Sequence, residues 1–250
     1  MKVKTGVVVM KKVKLFCLPY AGASASVYLK WKTRLDRKIE LIPLELAGRG
    51  RRHREPFYES AEDAIEDILK YFLDYLDESP FAILGHSMGS ILAYELAQKV
   101  RLIRGREPVW MFVSGRYPPH IKKQQKIIHN LPIDEFKNEI LKLGGTPLEV
   151  FENPILTDLF LPVLKADYKL IETYEYVCTN KKLNCGITVF NGKDDCITAG
   201  TDMKEWGLQT TNICKVYEFE GDHFFINCHD REITDVINST LTDELLENQG

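Results

Sequence analysis

Ser87, His223 and a carboxylate at Asp194 or Asp195 are the side chains whose types and order could together cleave an acyl bond. A serine hydroxyl is a weak nucleophile until a base takes its proton. The base in turn needs a carboxylate to fix its tautomer and stabilise the imidazolium. Ser87 lies in Gly85-His86-Ser87-Met88-Gly89, directly after the apolar run Phe81-Ala82-Ile83-Leu84 and before Ile91-Leu92-Ala93-Tyr94-Glu95-Leu96-Ala97. Two glycines permit a sharp turn that lifts the hydroxyl clear of a sheet, and the helix that follows aims its N–H groups at an oxyanion. The pentapeptide alone is a common pattern, and a serine that merely caps a helix is its rival. Strand before and helix after favour the nucleophile.

In a doubly wound sheet of the α/β-hydrolase kind, base and acid follow the nucleophile in the order acid, then histidine, each at the end of a later strand. His223, in Gly221-Asp222-His223 after Lys215–Phe219, satisfies that order. His53, His120 and His129 precede any suitable acid, and His229 opens a helix. His86 lies inside the elbow, where its ring is expected to brace the turn and point away from Ser87. The loop after Phe190 offers both Asp194 and Asp195; the spacing Gly-x-x-Asp after a strand favours Asp195. An oxyanion needs two preorganised donors. The Met88 backbone N–H is expected to be one, and that of Ala21, in Pro19-Tyr20-Ala21-Gly22, the other.

These groups must be positioned by strands and helices, and the chain supplies both. Val13–Leu18, Ile39–Leu44, Phe81–Leu84, Val109–Val113, Ile187–Phe190 and Lys215–Phe219 read as strands, most of them continuously apolar, as parallel strands covered on both faces are. Pro43 weakens the second of them as a strand or places it at a sheet edge. Ser60 is placed to cap a helix whose Ile65, Ile68, Leu69, Phe72 and Leu76 share one face. From 116 to 182 the rhythm turns helical, with patterns over Ile133–Leu143 and Pro154–Tyr176; this is more than a crossover needs and is expected to form a helical lid. The fold expected is one α/β-hydrolase domain over residues 1–250, with a mostly parallel central sheet and that lid at 116–182 inserted within it.

Composition narrows the class. The 250 residues suit one large domain, and 44% hydrophobic with 28% charged residues is ordinary for a globular chain. With 33 Lys plus Arg against 36 Asp plus Glu, the net charge of −3 suggests no bulk attraction to nucleic acid or membrane. Six scattered cysteines have no zinc or disulfide spacing, so no metal or cofactor is expected and reduced thiols point to the cytoplasm. Lys11, Lys12 and Lys14 interrupt the apolar stretch near the N-terminus before it reaches the length of a leader, and translation could start at Met1 or Met10.

Taken with their flanks, these residues resemble the stand-alone type II thioesterases of nonribosomal peptide and polyketide synthesis. The resemblance rests on Leu18-Pro19-Tyr20-Ala21-Gly22, Gly48-Arg49-Gly50 with Arg52 and Glu55-Pro56, the elbow, Ser114-Gly115-Arg116, Leu143-Gly144-Gly145-Thr146-Pro147, Ala166-Asp167-Tyr168 and Gly221-Asp222-His223-Phe224-Phe225. It departs where Ala47 replaces the usual proline and where Ala23 and Ser24 stand in place of a second glycine. It implies hydrolysis of acyl thioesters on the 4′-phosphopantetheine arm of carrier proteins, clearing stalled or wrong acyl groups, by a monomer. A small-molecule carboxylesterase and a non-catalytic carrier-binding scaffold are the alternatives. Because carriers are acidic, Arg49, Arg51, Arg52 and Arg54 in one loop, with Lys122, Lys123 and Lys126, are expected to contribute to docking. Phe151, Leu156, Leu159, Phe160, Leu164 and Tyr168 fall in the stretch expected to wall the acyl pocket.

Overall fold

A computed structural model describes residues 12–124, 126–178 and 181–247. The N-terminal stretch discussed above, with both possible start residues, lies outside the described residues. Among the described residues, six strands form one sheet: β1 (Val13–Leu18), β2 (Ile39–Pro43), β3 (Phe81–His86), β4 (Trp110–Ser114), β5 (Gly186–Gly192) and β6 (Cys214–Phe219). All five pairings are parallel, in the order β2-β1-β3-β4-β5-β6. Pro43 sits on an edge strand, where its missing N–H breaks no ladder.

Alternate residues of each inner strand enter opposite layers, as the period of two demands. Phe16, Leu18, Ile83, Met111 and Val113 pack on one side with α1 (Ala61–Tyr75) and α2 (Met88–Arg104). Leu15, Cys17, Ala82, Leu84 and Phe112 pack on the other with Tyr28, Trp31 and the closing helix Asp230–Glu247. Continuous apolar strands are therefore the imprint of two cores. The cap of α1 is as expected, with the Ser60 hydroxyl accepting from the Asp63 N–H at 3.1 Å.

Between β4 and β5 lie α3 (Ile133–Leu143), the short α4 (Glu149–Glu152) and α5 (Pro154–Thr173). Ile128, Phe136, Ile140 and Leu164 form a small core of their own there. Pro162 is accommodated within α5 without ending it. The last two helices are α6 (Phe225–Cys228) and α7 (Asp230–Glu247). No helix among the described residues is long and apolar enough to cross a membrane.

Candidate active site

The turn from β3 into α2 carries Ser87 at φ 54° and ψ −116°, and it is the only non-glycine residue at positive φ among those described. A backbone so placed costs about 1–3 kcal/mol and persists only when its surroundings enforce it. Both glycines supply that enforcement by omission. A Cβ on Gly85 would lie 2.0 Å from the Gly89 carbonyl oxygen, and one on Gly89 would lie 2.2 Å from that of Leu18. The loop after β1 therefore rests directly on the elbow. Ser87 makes no side-chain capping bond to α2, which leaves its hydroxyl free for another partner.

That partner is His223. Ser87 Oγ donates to His223 Nε2 at 2.9 Å, and His223 Nδ1 donates to Asp195 Oδ2 at 2.8 Å. All three side chains are buried. Asp195 Oδ1 accepts from the Ile197 N–H at 2.9 Å, so both carboxylate oxygens are engaged. Asp194 is exposed and does not reach the ring. Of the two candidate acids, the structure brings Asp195 to His223.

His86 makes one contact that its place in the elbow did not reveal. Its Nδ1 shares a hydrogen bond with Ser114 Oγ at 2.8 Å, which braces the turn. Its ring also packs against the His223 ring, with centroids 5.0 Å apart. Burial, and secondarily His223, hold its pKa well below the ordinary histidine value, so a neutral ring lies beside His223. The close approach depends on Gly115, where a Cβ would stand 2.6 Å from His86 Cε1 and 3.2 Å from His223 Cε1.

The loop holding Ala21 is fixed from above. Asp167, on α5, accepts from the Gly22 N–H at 2.7 Å and forms a bidentate pair with Arg49 at 2.5 Å for each contact. Leu164, one turn earlier, fills the space beside Gly22. Asp167 carried no role in the sequence, and Arg49 only that of a docking charge, although each lies in a motif shared with the resembled family. The expectation of a docking patch at residues 49–54 needs correction accordingly. Arg49 is inside the protein, and Arg52 is buried too, paired with Glu55 and with Asp67 at 2.8 Å. Arg51 and Arg54 remain exposed. On the other stretch, Lys126 pairs with Glu139 at 3.0 Å and Lys123 donates to the carbonyls of Ile197 and Ala199.

A parallel sheet with an elbow after its third strand, and the elbow's partners after the fifth and sixth, defines an α/β-hydrolase. The thioesterase domain family model matches residues 13–241, and the chain belongs to that family. It is 35% identical over 242 residues to linear gramicidin dehydrogenase LgrE of Brevibacillus parabrevis, spanning 96% of this chain and 91% of that protein. Among solved structures, ClbQ from the colibactin NRPS/PKS pathway matches with TM-score 0.90 at 36% identity, over 96% of this chain and 100% of ClbQ. The type II thioesterase BorB from the borrelidin biosynthetic cluster matches with TM-score 0.83 at 29% identity, over 94% and 93%.

Proposed function

We propose that the protein is a type II thioesterase that hydrolyses acyl groups from the phosphopantetheine arm of carrier proteins, with Ser87 as nucleophile, His223 as base and Asp195 as its orienting acid. The observation that carries this is the relay Ser87 Oγ to His223 Nε2 to Asp195 Oδ2, at 2.9 and 2.8 Å, from a serine held at positive φ. Ser87 Oγ attacks the thioester carbonyl carbon as its proton passes to His223 Nε2. The tetrahedral oxyanion collapses, the C–S bond breaks, and the imidazolium returns its proton to the departing thiol. Water then attacks the acyl-serine with His223 again as base, releasing a carboxylic acid and regenerating Ser87.

Met88 and Ala21 supply the oxyanion N–H groups in this reading. It is supported by Met88 opening α2 and by the Leu18–Gly22 loop lying against Gly89. Residues 116–182 act as the lid, a role supported by their separate small core and by the seating of Leu164 on the loop after β1. Within it, Leu159 is exposed and Leu164 buried, so the acyl wall is assigned to the inward face of α5.

The carrier as substrate, and editing as the purpose, follow from likeness to BorB and ClbQ over nearly whole chains. We assign the cytoplasm, where the six free thiols would stay reduced, and a monomer. The dehydrogenase in LgrE's name is not carried over: the loop after β1 reads Leu18-Pro19-Tyr20-Ala21-Gly22-Ala23, without the G-x-G-x-x-G of a dinucleotide site. The test is to compare acetyl- and peptidyl-loaded carriers with the matching free thioesters and simple esters. Preference for the carrier-bound form is expected; equal or greater kcat/KM on simple esters would make the protein a carboxylesterase instead.

A further inference from the structure

His86 closes β3 and is fully buried, and the ends of three other strands converge on its ring. From beyond β1 the Tyr20 ring stands edge-on to it with centroids 5.5 Å apart, and Phe225, which opens α6 beyond β6, does the same at 5.8 Å. The end of β4 supplies Ser114, whose hydroxyl is bonded to His86 Nδ1 at 2.8 Å, and then Gly115, where a Cβ would stand 2.6 Å from His86 Cε1. The His223 ring lies against the same imidazole, tilted 33° from parallel, and its own Cε1 also meets Gly115. His223 is thus seated on a ring that is itself held on several sides.

Ser114 reaches both members of the relay. Its carbonyl accepts from the Ser87 N–H at 2.7 Å, which fixes the backbone of the elbow. Its hydroxyl fixes the rotation of the His86 ring, because an imidazole nitrogen left without a partner among aromatic rings would turn to find another. The bonds from His223 to Ser87 and Asp195, at 2.9 and 2.8 Å, tolerate little displacement, and a misplacement of about 1 Å costs on the order of 10²-fold in rate. We propose that His86, fixed by Ser114, is a positioning residue that holds His223 between Ser87 and Asp195. This rests on the relay proposed above and adds to it a side chain that acts only through His223. The neutral state of His86 suits the task, since it sets no second positive charge beside the imidazolium that forms on His223.

The test combines kinetics on a propionyl-loaded carrier with proton NMR of the His223 Nδ1–H, which resonates far downfield when held against a carboxylate; Asp195→Asn assigns the signal by removing it. In His86→Ala the signal broadens or disappears and kcat falls about 10²-fold, with KM within about twofold of native on the same scale. His86→Phe, a flat ring without a polar edge, keeps the signal and recovers most of kcat. Ser114→Ala lowers kcat up to about tenfold, the scale of one buried hydrogen bond, and has no further effect in His86→Phe, where there is no Nδ1 to hold. A sharp downfield signal with native kcat in His86→Ala overturns the proposal, as does an equal effect of Ser114→Ala in both backgrounds. If His86→Ala does not fold, the two Ser114→Ala measurements decide. If the native protein cleaves no loaded carrier, the thioesterase reading fails, and the downfield signal still decides whether His86 positions His223.

Discussion

Arg49 and Asp167, 118 positions apart, meet in a buried bidentate pair that joins the loop after β2 to helix α5. Through the Gly22 N–H, Asp167 also fixes the loop that holds Ala21. One carboxylate thus sets the height of the helical segment above the end of β1.

Removing Asp167 leaves Arg49 buried and unpaired. Asp167→Ala should therefore lose about 3–5 kcal/mol of stability. Chemical denaturation measures this directly; a change under about 1 kcal/mol, the range of an exposed pair, would mean that the ion pair is solvated in solution.

Asp195 and Asp194 separate by exposure and by contact with His223. Asp195→Asn should reduce kcat by something on the order of 10⁴, the effect of losing tautomer control in a serine triad. Asp194→Asn, altering an exposed side chain, should stay near the native rate. Steady-state kinetics on one acyl carrier checks both, and the reverse ranking would reassign the acid.

The elbow, the order of its partners and the alternation of strands and helices were legible in the sequence because each is local: a glycine spacing, an apolar run, a strand followed by a polar turn. Ile133–Leu143 was readable for the same reason, its apolar positions recurring at the helical period. The inward turn of Arg49 and Arg52 was not. A run of arginines in a loop looks solvated, and the acids that draw these two inside lie on α5 and α1. The shared motifs containing Arg49 and Asp167 were the available signal, with only a docking role attached to Arg49 and none to Asp167. The packing of His86 on His223 escaped for a related reason, since it depends on Gly115 from another strand end.

If charge on the 49–54 loop helps dock an acidic carrier, only its exposed members can do so. Reversal at Arg51 and Arg54 together should raise KM for a loaded carrier at low salt and leave KM for a free acyl thioester unchanged; the difference should shrink as salt screens it. Equal KM values for the native and reversed proteins on the carrier at low salt would remove this loop from the docking surface. Reversal at Arg52 is a different experiment, because it would break buried pairs to Glu55 and Asp67.

In the proposed function, Ser87 takes the acyl group from a carrier-bound thioester. Rapid mixing with a propionyl-loaded carrier, acid quench and peptide mass mapping measure it directly. One propionyl mass is expected on the peptide containing Ser87 during turnover, absent in Ser87→Ala, which should also lose hydrolysis. A Ser87→Ala protein that turns over the carrier at the native rate, or an acyl mass on another residue, would contradict it.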